Sequence, residues 1–531
     1  MEKLTAKQIT WGILLIAFLL RLPYFFISLA YDEIWTVSRF IKLPVQKLLF
    51  DLSLPNNHPL NSILIKCMNF LPLDVNFIRL PHLIAGFISI LLIGYLAKRM
   101  AGKAAALWSM FFAALNAPLI VYSNQARGYA LQIMFLLIFG CTLLKAVELN
   151  REKKRSAAVI AAMTVSAAAA VMTLSTSVLY LAGVVLILWN YNQWKAIPRK
   201  SMAALLAAAL ICALYILLNF SGLSAARKWG ESISSMSGYF QWLWGVLYHV
   251  VPGTLLPFAL YYLVKFRQYA VGYGVFLLLL FGSAIFTNGG PERVYLPLCA
   301  LFCIIAGAGA GVVQERFAQK HQRQLLLLAG IALAAAGYFY QISSWRFPDY
   351  FPVLKKIETL PSDTLVIYPA GDGYVVRSNS RSWAVKQYCN TLYTNSELKE
   401  MLLLNSPGRI NGADDCYNEK TLPLELDIPQ EKFAGIPAQR VQLQQLKSAP
   451  ANNQQPMIAV YCSNSKSGFN AVKKLLENNG KVLFLNCWLS VYDGDSSKRM
   501  YCCTWYIAPG AVSVEKLKNI QEAAVLYYLQ K

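Results

Sequence analysis

The chain alternates between long apolar runs and short polar connections, and that rhythm predicts its architecture. Runs of roughly 17–25 apolar residues can cross a bilayer as helices. Such runs fall near 9–29, 79–97, 104–123, 127–146, 156–174, 176–191, 201–220, 241–264, 269–287, 294–313 and 325–343. They predict a polytopic α-helical membrane protein of about eleven transmembrane helices. Residues 30–78 read as a first external loop. Within it Phe40, Ile41, Val45, Leu48 and Leu49, with Lys42 and Lys47 between them, predict an interfacial amphipathic helix over 38–49. The stretch His58 to Leu71 is apolar but short, so it packs at the interface or enters partway. A second external segment, Gly222 to Gln241, carries Arg227, Lys228, Trp229 and Glu231.

After Trp345 the pattern changes to that of a soluble domain. Thr364 to Tyr368, Met457 to Tyr461, Lys481 to Val491 and Arg499 to Ile507 read as strands, and Gly468 to Asn479 as a helix ended by Gly480. The expected division is a transmembrane domain over 1–343 and an α/β domain over 344–531. The Gln-, Pro- and Asn-rich stretch 436–456 reads as a long loop, and Gly371-Asp-Gly373 as a turn with no phosphate-loop pattern around it.

Composition agrees with a lipid environment. Of 531 residues 56% are hydrophobic and only 14% charged, against about 25% charged in a soluble domain. The net charge of +22 does not indicate nucleic acid, because the cations sit in short clusters between apolar runs. Those clusters are Lys98-Arg99-Lys103, Arg151 to Arg155, Lys195 to Lys200, Lys265-Arg267 and Arg316 to Arg323. They recur at every second connection, which is the positive-inside signature. Lys3 and Lys7 place the N-terminus on that same, cytoplasmic, side, so the domain after Trp345 is expected outside. The few N-x-S/T sites favour a bacterial cytoplasmic membrane, with that domain periplasmic or extracellular. Lys3, Lys7 and Ser28-Leu29-Ala30 also resemble a signal peptide. Arg21 and Pro23 interrupt its apolar core, so the first span is expected to stay as an anchor.

Cysteines divide between the two parts. Cys67, Cys141, Cys212, Cys299 and Cys303 lie in or beside spans, where cysteine acts as a small apolar residue. Cys389, Cys416, Cys462, Cys487, Cys502 and Cys503 lie in the external domain, where disulfides or free buried thiols are both open.

Candidate chemistry gathers at one membrane edge. Asp32 and Glu33 follow the first span, where carboxylates persist if they pair, face a cavity or react. As neighbours they cannot share one face, so one can point into a cavity while the other caps a helix or meets a cation; the pair simply capping the following helix is the plain alternative. His58 precedes Pro59 at the start of an apolar stretch, where a cap or interface anchor is the ordinary role. Arg127 and Arg293 open the fourth and tenth spans on the side the positive-inside rule disfavours. Snorkelling would explain each alone, but two such arginines suit a phosphate, which guanidinium binds bidentately. An external carboxylate base, phosphate-binding cations and access from the bilayer are what sugar transfer from a polyprenyl phosphate requires.

Four motifs, Tyr31-Asp-Glu-Ile-Trp35, Asn57-His-Pro-Leu60, Gln125-Ala-Arg-Gly-Tyr129 and Arg293-Val-Tyr-Leu-Pro297, resemble the GT-C superfamily of integral membrane glycosyltransferases. The group they resemble most is that of the protein O-mannosyltransferases and lipid A aminoarabinose transferases. The resemblance covers about residues 1–343. It implies Asp32 as catalytic base and Glu33 as a loop support or an acceptor or metal contact. It also implies His58, Arg127 and Arg293 on the carrier phosphate, with Tyr129 and Tyr295 in support. Donor and acceptor would be a polyprenyl-phosphate sugar and a hydroxyl of a glycan, lipid or protein, with inversion at the anomeric carbon. The chain departs from the family at Ser175-Thr-Ser177, where many relatives carry a histidine–tyrosine pair. Relatives differ over a divalent metal. His58, Asp32 and Glu33 could supply ligands, but a lone histidine is a weak metal signal, and metal independence is expected. Two other readings remain: a flippase for lipid-linked sugars, whose charges would be expected nearer the midplane, and an inactive cell-envelope scaffold.

Overall fold

The protein's computed structural model describes residues 5–27, 29–38, 40–50, 52, 57–68, 75–152, 156–190, 199–226, 235–287, 289–317 and 319–345, and five strands between 365 and 527. The chain divides into two compact units. The first holds residues 1–26, 39–346 and 493–495, and the second residues 27–38, 347–492 and 496–531.

The first unit is helical. Helix α1 (Ala6–Phe25) opens with a capping box, in which Thr5 and Gln8 satisfy each other's backbone N–H. A 3₁₀ turn (Phe40–Lys42), α3 (Val45–Phe50) and α4 (Pro59–Met68) precede α5 (Leu80–Leu115). Next come α6 (Ala117–Tyr122), α7 (Tyr129–Arg151), α8 (Ala157–Thr173), α9 (Ser177–Asn190), α10 (Arg199–Leu218) and α11 (Phe220–Ala226). The unit ends with α12 (Met236–Val250), α13 (Leu256–Lys265), α14 (Arg267–Thr287), α15 (Pro297–Arg316) and α16 (Lys320–Trp345).

Each apolar run named above falls on helix. By length and composition five helices can cross a membrane: 6–25, 77–115, 129–149, 297–316 and 321–342. A sixth is the pair α12 and α13, bent by 75° at a short break. The apolar stretches of α8, α9, α10 and α14 are shorter, at 10–17 residues. The molecule is thus a polytopic helical membrane protein. The two runs expected at 79–97 and 104–123 lie mostly on α5, which breaks at Ala101 and Gly102. Gly102 has φ +84°, a conformation side chains disfavour, and the break sits inside the cluster Lys98-Arg99-Lys103.

The interfacial helix expected over 38–49 differs. Pro44 fixes its own φ and cannot donate into a helix, so the stretch is a 3₁₀ turn followed by α3, whose first turn the Pro44 carbonyl starts by accepting Leu48 N–H at 3.1 Å. Phe40, Ile41 and Leu48 are buried while Val45 and Phe50 are exposed.

The core of this unit is the pairing of α15 with α5. Gly307 and Gly311 lie four apart on one face of α15, so their backbone rests directly on α5 at Ser109 and Ala105. Gly309 meets the Phe258 carbonyl of α13 in the same way. Trp108 Nε1 donates to Gln314 Oε1 at 2.7 Å and fastens the far ends together.

The second unit holds α2 (Tyr31–Ser38) and a five-stranded sheet in the order β3-β4-β2-β1-β5. Its strands are β1 (Leu365–Ala370), β2 (Met457–Ser463), β3 (Val482–Tyr492), β4 (Asp495–Ile507) and β5 (Val525–Tyr527). β1 runs parallel to β2 and antiparallel to β5, and β2 antiparallel to β4 with Ala459 opposite Trp505. Four of the strands lie where the sequence placed them. The expected helix over 468–479, the loop 436–456, Gly371 to Gly373 and Arg227 to Glu231 lie outside the described residues.

Candidate functional site

A buried polar loop anchors the site. Between α6 and α7 the seven residues Ser123 to Tyr129 are all buried, so their polar groups must find protein partners. Ser123 Oγ donates to the Ile120 carbonyl at 2.9 Å and accepts Arg21 Nε at 3.0 Å. Arg21 also donates to the Ala17 and Ala114 carbonyls at 3.1 and 3.2 Å. Asn124 Nδ2 reaches the Ile120 carbonyl at 2.8 Å. From α4, Asn61 Nδ2 donates to the Ala126 carbonyl at 3.1 Å, while its Oδ1 is in short contact with His82 Nε2 on α5. Because the amide nitrogen is the donor to Ala126, Oδ1 is the acceptor and His82 Nε2 carries a hydrogen. This chain fixes the loop and the start of α4 in one frame.

His58 stands where that frame converges. Its Nδ1 lies 3.1 Å from the Gly128 N–H, and its Nε2 lies 3.2 Å from Arg127 Nη2. Tyr129 sets its ring edge-on to His58 at 5.0 Å, and the Arg127 guanidinium carbon lies 5.6 Å from the centre of that same ring. Gly128 has no room for a side chain. A Cβ there would sit 2.5 Å from His58 Nδ1 and 2.7 Å from Thr173 Cγ2.

Burial, and then the charges of Arg127, Arg293 and His82, hold His58 well below its ordinary pKa, so the imidazole is neutral near pH 7. A neutral imidazole has one lone pair for hydrogen bonding, yet this ring faces two nitrogen donors, one on each side. Whichever tautomer forms, one donor meets an N–H instead of an acceptor. With Nδ1 taking the Gly128 N–H, the Nε2–H and Arg127 Nη2 point into the same place. An acceptor of negative charge resolves that conflict.

Arg293 contributes to the same field, since its charge is among the causes that depress His58. It lies in a 3₁₀ turn, Glu292–Tyr295, entered through Gly289 at φ +65°. The turn is pinned by Trp242 Nε1 on the Gly290 carbonyl at 3.0 Å and by the Tyr180 hydroxyl on the Val294 carbonyl at 3.1 Å. Tyr295 packs edge-on to Trp242 at 5.5 Å and stacks with Phe281 at 5.8 Å. It braces the turn through rings.

Asp32 and Glu33 belong to the second unit. Glu33 occupies the third position of α2, and its Oε2 accepts the Ala30 N–H at 2.8 Å, the reach-back of a capping box. Asp32, one residue earlier, is half-buried, and its backbone carbonyl accepts the Thr36 hydroxyl at 3.1 Å. The two carboxylates therefore have different surroundings, with that of Glu33 engaged in holding the helix start.

The structure thus brings His58, Arg127 and Tyr129 into contact and sets Arg293 within electrostatic reach. It adds Gly128, Asn61 and His82, which the sequence reading missed. Gly128 was inside a quoted motif, but its need for a bare Cα appears only against His58. For His82 the signal was a histidine next to Pro81 at the start of an apolar run. At Ser175-Thr-Ser177, Ser177 Oγ donates to the Ala170 carbonyl at 2.8 Å and accepts Gln132 Nε2 at 3.0 Å, tying α7 to α9. The five cysteines of the helical unit are free thiols.

No protein-family profile and no curated protein matches the sequence. Among solved structures the chain is similar to ArnT from Cupriavidus metallidurans bound to undecaprenyl phosphate. The TM-score is 0.42 and the identity 15%, covering 93% of this chain and 97% of that one. It is similar also to the apo oligosaccharyltransferase of Archaeoglobus fulgidus, with a TM-score of 0.42 and 14% identity over 71% of this chain. The chain spans 60% of the length of that archaeal protein. A third likeness is to AglB of the same archaeon in complex with an inhibitory peptide and a dolichol-phosphate, with a TM-score of 0.40 and 12% identity.

Proposed function

We propose that this chain is a membrane glycosyltransferase that moves a sugar from a polyprenyl-phosphate carrier to a hydroxyl of a cell-envelope glycan, lipid or protein. The observation that carries the reading is the convergence of donors at His58. The neutral ring and Arg127 together present N–H groups to one point, and Arg293 adds positive charge nearby. A phosphate monoester or diester supplies the acceptor oxygens and negative charge this point calls for. The four motifs that resemble the GT-C superfamily support the same assignment.

In the proposed reaction Asp32 takes the proton of the acceptor hydroxyl as its oxygen attacks the anomeric carbon. The bond from that carbon to the carrier phosphate oxygen breaks, and the configuration inverts. The electron pair leaves on the phosphate, where His58, Arg127 and Arg293 stabilise it more strongly as its charge develops. A phosphate leaves as a stable anion, so no second carboxylic acid is needed to protonate it. Glu33 supports Asp32 by fixing the start of α2. The reaction is proposed for the external face of a bacterial cytoplasmic membrane, with the unit after residue 346 on that side.

The test is mass spectrometry of envelope lipids, glycans and proteins from cells with the wild-type chain, a deletion, or Asp32→Asn. Loss of one sugar from one species in both mutants, with its polyprenyl-phosphate sugar accumulating, is the expected outcome. A variant that keeps near-normal modification would make Asp32 structural and remove the proposed mechanism.

A further inference from the structure

A second feature runs from beside the Arg293 turn, at Tyr180 and Pro297, toward the opposite ends of the helices that carry the site, at Arg99 and Glu148. A partly open cavity of about 210 Å³ is lined by α5, α7, α9, α14 and α15. Its walls are nearly all apolar, with Leu96, Ile133, Leu137, Val184 and Phe276 among them, and Gly140 opens α7 into it. Trapped water needs two to four polar partners, which these walls do not offer, so the space suits hydrocarbon.

One end is charged. Arg99 and Glu148 line the cavity and form an ion pair, and Lys145 reaches the same carboxylate at 3.1 Å. Arg99 and Glu148 lie roughly 28 Å along their helices from Leu80 and Tyr129, at the usual helical rise. This end is therefore about one bilayer core away from His58. Lys98 and Lys103 on α5 are exposed beside it, with Glu315 near the break at Gly102. The four cations Lys98, Arg99, Lys103 and Lys145 outnumber the two acids Glu148 and Glu315. The Arg99 side chain is 48% exposed, so its guanidinium is open to a headgroup while one edge holds Glu148.

We propose that this cavity seats one acyl chain of an anionic phospholipid, whose phosphate rests on Arg99 with Lys98 and Lys103 beside it. Charge complementarity selects the occupant. An apolar slot with a net positive mouth on the basic face of a membrane protein matches an anionic lipid of that leaflet. The charged mouth at Arg99 is distant from His58, and the assignment does not depend on the function proposed for that centre. Its role is to fill the space between α7, α9 and α14 and hold their ends together.

Native mass spectrometry of the full-length protein, stripped of lipid and offered phosphatidylglycerol or phosphatidylcholine, tests the assignment. Retention of phosphatidylglycerol about tenfold above phosphatidylcholine is expected from the basic mouth. Gly140→Leu fills the cavity from inside. A Cβ there meets Val184 Cγ1 at 3.8 Å and Leu96 Cδ1 at 4.0 Å, which is ordinary contact, so the helix is kept. This variant should lose the lipid, as should Ala300→Leu, which enters from α15. The pair Lys98→Gln and Arg99→Gln should abolish the preference between the two lipids. Equal retention of both lipids by the wild type, or unchanged retention in both filling variants, would overturn the proposal. So would filling variants that keep phosphatidylglycerol but, offered undecaprenyl phosphate in a parallel measurement, fail to retain it, since the cavity would then belong to the carrier. Loss of turnover in Asp32→Asn with lipid retention intact bears only on the His58 centre.

Discussion

The α5–α15 seam and the His58 cradle sit in the same helical unit and solve opposite problems. Along the seam Gly307 and Gly311 bring two backbones together with little polar demand beyond the Trp108–Gln314 and Ser109–Ile304 hydrogen bonds, so close packing dominates it. In the cradle, Ser123 to Tyr129 are equally buried, and polar groups such as Ser123 Oγ and Asn124 Nδ2 are bonded to carbonyls. The ring of His58 is placed differently, since it faces one donor too many. The seam is complete without a ligand and the cradle is not. A buried polar surplus of this kind is where the proposed carrier phosphate would bind.

The sharpest test of that contrast is in the seam. Gly311→Leu puts a Cβ 2.5 Å from the Ala105 nitrogen, against backbone that cannot yield, and should cost above about 3 kcal/mol. Loss of monodisperse protein in detergent is the expected readout; a stable variant would show that α5 and α15 can separate. Gly128→Ala is the cradle's counterpart. Its Cβ presses on a side chain rather than on backbone, so the fold should persist while His58 moves. Turnover is expected to fall about a hundredfold, with the melting temperature changed by only a few degrees. A comparable loss of stability and activity would erase the distinction between the two regions.

Arg127→Lys keeps the charge but loses the fork that reaches His58 and would hold the proposed phosphate. An increase of about tenfold in the concentration of carrier needed for half-maximal rate is expected, measured with purified carrier-linked sugar. If lysine serves as well, only the charge matters at this position.

The smallest effect concerns pH. Folding holds His58 below its ordinary value of 6.5, so below that pH the unfolded chain takes a proton that the folded chain refuses. Stability should therefore be full above pH 6.5 and decline as pH falls toward the depressed folded value. His58→Gln should remove about 1 kcal/mol of that acid-side decline. Unfolding midpoints at pH 7.5 and 5.5 for the two proteins check the sign. An equal decline in both would place the titrating group elsewhere.

How much the sequence disclosed depended on the range of the interaction. Helix positions were legible because an apolar run long enough for hydrocarbon is a local property, and Pro44 and Gly102 show local chemistry refining it. His58 and Arg127 were legible too, as polar residues at the mouths of apolar runs, where their cost needs a reason. The spacing Gly307-Ala-Gly-Ala-Gly311 was in view, but nothing in it names Ser109 or Ala105 as what it touches. Glu33 shows the limit at short range. The pair Asp32-Glu33 announced different roles for its two members without saying which would cap, and the backbone then gave the cap to Glu33.

By itself, then, the sequence determined a lipid-embedded helical bundle, the face carrying the basic clusters and the residue types that could hold a phosphate. Only tertiary structure decided that Gly128, seventy residues from His58, must be bare. It also decided that Asn61 and His82 frame the loop, and that a neutral imidazole stands between two donors. Local patterns record what each segment can bury. The pairing of one donor with one acceptor across distant segments is written only when the chain brings them within 3 Å or so.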